Sequence, residues 1–161
     1  MWKLTQEGTE SQLTDEKRLK EILSMAKSRL QMRFQSSGHT TAALRAMSYA
    51  SPLSKLKDLT SGIGYYEIVK QIEEHFEEEK DVLIKNLQTL TKLLFRPENM
   101  MVSYTAAREG MEDLEKLVSE LKAKLFTEPV QGQPCVIHCE KKNEGFKTSS
   151  KVQYVARAGN F

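Results

Sequence analysis

Between Tyr65 and Leu94, apolar residues return every three or four positions: Tyr65, Ile68, Val69, Ile72 and Phe76, then Leu83, Leu87, Leu90 and Leu94. A strand shows one face every second residue and a helix one face every 3.6, so this run makes a single apolar stripe only as helix. Acidic residues crowd positions 77–79, and a break is expected over 77–80. The last four leucines are spaced as in a coiled-coil seam, but about two heptads are too few to sustain one, so the stripe reads as core-facing.

The flanking sequence continues in the same period. Thr14-Asp15 can cap a helix over 15–35, whose apolar face is Leu19, Ile22, Leu23, Ala26 and Leu30. Ser36-Ser37-Gly38 should end it, and a short helix rich in small residues follows from Thr40-Thr41 through Ala42, Ala43, Leu44, Ala46 and Met47. Ser51-Pro52 is a helix start, with Ser as the cap and Pro pre-set for the first turn, and Leu53, Leu56 and Leu59 form that helix's face. Ser61-Gly62-Ile63-Gly64 reads as a turn. Arg96-Pro97 stops the long run, because proline breaks the backbone ladder and restricts the residue before it.

Two segments alternate instead. Met100, Val102 and Tyr104 share one face of an expected strand over 100–105, and Val152, Tyr154 and Ala156 share one face of another over 151–158. A helix over 110–126, with Leu114, Leu117, Val118, Leu121 and Leu125 inward, could cover the first. The expected fold class is therefore α+β: mostly helical, with a few strands belonging to a partial antiparallel sheet, in a fragment of a larger multidomain protein. The organisation expected along the chain is an unplaced segment 1–13, a helix-rich third-domain part 14–126, an interdomain linker 127–150 and the first strand of a truncated next domain 151–161.

Composition narrows the function classes. Lys+Arg 24 against Asp+Glu 22 leaves a net charge of +2 with the signs interspersed, which gives no basic surface for nucleic acid. No apolar run reaches the roughly 18–20 residues that span a bilayer, so a soluble chain without membrane partners is expected. The first ten residues have neither the apolar core of a secretory signal nor the acid-poor character of a transit peptide. Two cysteines and seven methionines without a disulfide framework fit a reducing compartment.

Chemistry-bearing residues are sparse. His75-Phe76-Glu77-Glu78-Glu79 imitates the inverted zinc-peptidase motif H-x-x-E-H but has Glu79 where the second imidazole must stand, so it reads as a solvated helix face. Cys135, His138 and Cys139 bring three zinc-type donors within five residues. Their spacing matches no common ligand element, a fourth donor is missing, and in an extended segment His138 points away from the face shared by the two thiols. They are weak metal candidates, read mainly as linker residues. His39 lacks a catalytic partner and reads as a surface or capping residue, and no catalytic, cofactor-binding or metal residue is assigned. Gly62-Ile63-Gly64 lacks the third glycine and the preceding strand of a dinucleotide fingerprint.

Four blocks in order carry a family resemblance: Tyr49-Ala50-Ser51-Pro52, Leu59-Thr60-Ser61-Gly62-Ile63-Gly64-Tyr65-Tyr66, Leu94-Phe95-Arg96-Pro97-Glu98-Asn99, and Val152-Gln153-Tyr154-Val155-Ala156 with Gly159-Asn160. Over residues 14–161 the chain resembles the presequence-protease branch of the pitrilysin/insulinase zinc metallopeptidases, across the third domain and the start of the fourth. The resemblance implies a clamshell of four related α+β domains around a chamber that admits unfolded peptides. It also implies that the zinc ligands and the general-base Glu lie in the first domain and the substrate-assisting Arg and Tyr deeper in the fourth, so none maps onto this chain. The expected function is that of a non-catalytic part of a zinc-dependent peptidase, inactive alone, contributing to the chamber wall, with the parent's zinc bound outside this segment. Its partners would be the parent's remaining domains and the parent's peptide substrate, with self-association of the excised piece through its apolar stripes. Bacterial cytoplasm is the expected location, or an organelle matrix in a eukaryote. Two alternatives stay open: a free-standing helical module that binds a partner helix, and a small zinc protein built on Cys135, His138 and Cys139.

Overall fold

The computed structural model describes residues 13–105, 107–132, 134–149 and 151–159. The unplaced segment lies outside them up to residue 12, as do Asn160 and Phe161 of the last block. Six α-helices are present among the described residues: α1 (Glu16–Ser36), α2 (Gly38–Ser48), α3 (Pro52–Ser61), α4 (Ile63–Glu74), α5 (Phe76–Leu94) and α6 (Met111–Ala123). Short 3-10 turns occupy Pro97–Asn99 and Arg108–Gly110.

Most boundaries follow from local chemistry. Ser51, extended at φ −135° and ψ 124°, accepts a hydrogen bond from the Ser54 amide at 3.4 Å, and Pro52 occupies the first turn of α3. The long periodic run is broken at His75, two residues earlier than the acids imply, where φ −113° and ψ 34° leave helical geometry between α4 and α5. At the end of α5 the Asn99 side-chain amide donates to the carbonyls of Leu93 and Leu94 at 2.8 and 3.2 Å, satisfying acceptors that a helix end leaves open.

The α+β expectation does not hold. No strand occurs among the described residues: 100–105 is irregular, and 151–158 is irregular apart from a bend at Lys151. Alternation only says which side chains share a face, whereas a strand exists when a neighbour satisfies its backbone N–H and C=O groups. Neither segment finds such a ladder, and the fold is helical.

The chain divides into two compact units. One consists of Met1–Asp15 with Asp81–Gln133. Within it the Phe126 amide donates to the Phe95 carbonyl at 3.0 Å, and Leu125 is buried beside that closure. The α5 leucines are only partly covered, with Leu83 and Leu87 half-buried but Leu90 48% and Leu94 56% exposed. The other unit consists of Glu16–Lys80 with Pro134–Phe161. Its core is Leu30, Ala46, Ile63, Val69 and Phe76, from α1, α2, α4 and the start of α5. Helix α1 packs on α4 through an edge-to-face pair of Phe34 and Tyr66, centroids 5.5 Å apart, a Gln31–Tyr66 hydrogen bond of 3.1 Å and the Lys27–Glu73 ion pair. Hydrogen bonding by Glu73 raises the Lys27 ammonium pKa against the opposing effect of burial, and Lys27 correspondingly lowers that of Glu73.

Candidate functional site

The most elaborate polar arrangement of the helical unit centres on Arg45 in α2, whose side chain is 9% exposed, and Asp58 in α3, whose side chain is 0% exposed. Buried charges of this kind are held only by close pairing. Arg45 Nη1 donates to Asp58 Oδ2 at 2.7 Å, and the Gly64 amide donates to the same oxygen at 3.2 Å. The carboxylate therefore sits at the N-terminus of α4, where exposed amides and the helix dipole favour negative charge. Asp58 Oδ1 is buried without a hydrogen-bond donor and lies against Gly62.

This contact gives the two glycines a role beyond turn formation. A Cβ at Gly62 would overlap Asp58 Oδ1, and one at Gly64 would lie 2.7 Å from Oδ2. Gly62 ends α3 and opens α4 in extended geometry, at φ −103° and ψ −153°, while Gly64 is inside α4. Only glycine lets the carboxylate approach the backbone this closely.

The other edge of Arg45 faces an extended segment of residues 134–159. Glu144 receives two hydrogen bonds from the guanidinium, Nε to Oε2 at 2.8 Å and Nη2 to Oε1 at 3.1 Å, and a third from the Tyr49 hydroxyl. The Tyr49 and Phe146 rings lie 5.7 and 5.6 Å from the guanidinium carbon. Burial acts to lower the Arg45 pKa, but hydrogen bonding to Glu144, Asp58 and Tyr49 outweighs it and keeps the group firmly charged. Arg45 holds the Glu144 carboxyl below the ordinary carboxylate range despite partial burial, and burial together with Glu144 pushes the Tyr49 phenol up.

The arrangement fixes and recognises a carboxylate. It contains no activated nucleophile and no acid and base held apart for proton transfer.

The residues singled out from sequence lie elsewhere. Cys135 and His138 are exposed and Cys139 is half-buried, all in the extended segment, and no group of three or more His, Cys, Asp or Glu side chains among the described residues could hold a metal. These donors therefore do not fit a zinc site. His75 is exposed at the α4–α5 break, its Nδ1 3.2 Å from the Gln71 carbonyl oxygen. His39 stands in the first turn of α2, its ring 6.0 Å from that of Tyr154. No helix among the described residues is long and apolar enough to cross a membrane.

Three of the four resemblance blocks meet around this core. Tyr49 and the Ser51 cap, the Gly62-Ile63-Gly64 backbone, and Tyr154, which packs where a Cβ at Gly38 would stand, all contact the α2–α4 face. The family model for the region associated with M16 peptidases of subfamily C matches residues 1–72. Protein HypA of Clostridium perfringens (strain 13 / Type A) is 30% identical over 149 residues, 92% of this chain and 15% of that protein. Presequence protease 1, chloroplastic/mitochondrial, of Arabidopsis thaliana is 26% identical over 152 residues, 94% and 14% of the two chains. The mitochondrial presequence protease of Xenopus laevis is 28% identical over 102 residues, 63% and 10% of the two chains. No solved structure matches.

The chain is presequence protease-like, a relative of the M16 peptidases, and spans about one seventh of the length of the first two relatives.

Proposed function

We propose that this chain is a non-catalytic structural part of a zinc-dependent peptidase that degrades unfolded peptides, where it contributes to the wall of the peptide chamber. The observation that carries this reading is the extent of similarity: more than nine-tenths of the chain aligns with a small share of two much longer proteins, one of them a presequence protease. The matched segment would span the third domain and the opening of the fourth, with zinc held by residues outside it. The exposed apolar residues Leu90 and Leu94 on α5 and Leu117 on α6 support it, as surfaces that the parent's remaining domains would cover. Bacterial cytoplasm or an organelle matrix is the setting in keeping with a bacterial relative and with plant and animal relatives named for chloroplasts and mitochondria. The test is to incubate the purified chain with an unstructured fluorogenic peptide and zinc. The reading expects no cleavage above the no-protein control, and chelator-sensitive turnover would overturn it.

The same exposed stripe favours one second reading, a helical module that self-associates or binds a partner helix. Solution mass separates the two: a stable dimer of the chain at micromolar concentration favours the module.

A further inference from the structure

The Arg45 surface is built like a peptide-binding site, and its occupant is a piece of the same chain. Asp58 fixes one edge of the guanidinium inside the helical unit, so the other edge is aimed before anything docks on it. That edge meets Glu144 as a two-point fork, a geometry that selects a carboxylate over a single acceptor. Two residues further on, Phe146 lays its ring beside the guanidinium. At the intervening position a Cβ would meet nothing within 4 Å, so the site reads the residues on either side and tolerates any side chain between them.

We propose that the α2–α4 face around Arg45 is a recognition site for an extended peptide bearing a carboxylate and, two residues later, an aromatic ring, occupied in this chain by Glu144-Gly145-Phe146 as a releasable latch. Release is feasible because the segment is held by side chains while most of it is exposed: Phe146 is 47% exposed and Glu144, at its side chain, 24%. Arg45 is not stranded when Glu144 leaves. Glu67, half-exposed and 3.4 Å from Nη2, and Tyr49 stay beside the guanidinium together with Asp58. The inference does not rest on the peptidase reading, since it concerns only residues of this chain.

The test uses the full chain carrying Glu144→Ala and Phe146→Ala, which frees the site, and a fluorescein-labelled peptide of residues 140–149 read by fluorescence anisotropy. Saturable binding is expected, weaker in the unaltered chain, whose own segment competes. Replacing the peptide's Glu144 by Gln should weaken binding by roughly tenfold or more, since a hydrogen bond to a charged group is replaced by a neutral one. Replacing its Phe146 by Ala should weaken it further, and its Gly145 by Ala should leave it unchanged. Absence of saturable binding to the double variant, equal binding to the unaltered chain, or binding indifferent to the Glu and Phe positions would overturn the proposal. Loss of helical circular dichroism in the double variant would overturn it too, because the segment would then be part of the folding core and not a latch.

Discussion

Replacing Gly64 by Ala should destabilise the chain, although a helix position normally gains about 1 kcal/mol from that change. Gly64 lies in the first turn of α4 at a negative φ, so backbone strain plays no part. The new methyl group would stand 2.7 Å from Asp58 Oδ2 and 3.3 Å from Leu59 Cδ2. Leu59 is flexible enough to yield a few tenths of an ångström. The carboxylate is not free to do so, because the same oxygen is held at 2.7 Å by Arg45 and at 3.2 Å by the Gly64 amide. Overpacking of this kind costs about 1–3 kcal/mol, and separating a buried ion pair costs about 3–5 kcal/mol. Even the low end offsets the helix gain, and the net loss should be about 1–3 kcal/mol, lowering the thermal midpoint by roughly 3–10 °C for a chain of this size. Thermal and urea unfolding followed by far-ultraviolet circular dichroism measure it. The control is Gly64→Ala in an Asp58→Ala background, where the collision is gone and the methyl group should be neutral or stabilising. A single variant as stable as the unaltered chain, or the same loss in both backgrounds, would refute the reasoning.

Three further outcomes follow from the same geometry. Asp58→Ala removes one member of the buried pair and leaves the Gly64 amide without its acceptor, so the urea midpoint should fall by the equivalent of about 3–5 kcal/mol. Ser51→Ala removes the α3 cap and should lower stability by about 0.5–2 kcal/mol in the same assay. The Glu144 carboxyl is held below its ordinary range, so its contribution is fully present above the unfolded-state value near ~4.3 and is lost as pH falls through the folded value. Proteolysis of the 134–159 segment should accelerate as the solution is acidified through that window, with Arg45, Asp58, Glu67, Tyr49 and Lys142 the groups around the carboxylate. In Glu144→Gln the segment should be cleaved quickly at neutral pH, with no acid step.

The helices were legible because their signals are local. Ser51-Pro52 sets a start and Arg96-Pro97 a stop, whatever the chain packs against. The segments 100–105 and 151–158 were misread because alternation is only half of a strand, and the missing half, a paired neighbour, is tertiary. The Arg45 site was missed for a related reason. Arg45 between Leu44 and Ala46, and Asp58 between Lys57 and Leu59, look like ordinary solvated positions of short helices. A charge becomes buried only when other elements close over it. One signal was available: glycines four and six residues after Asp58, one of them at a helical position where Ala would normally be preferred. They mark a backbone that something approaches closely, and here it is a carboxylate. Cys135, His138 and Cys139 drew notice by composition alone, and composition does not converge side chains.

The central claim, that this chain works as a structural part of a larger peptidase, is tested most directly by the mass of the native protein. An antibody raised against the chain, used on extract of its source cells, should reveal a band several-fold heavier than the 18.4 kDa of this sequence. A native band at about that mass would contradict the account and leave the helical interaction module as the reading to pursue.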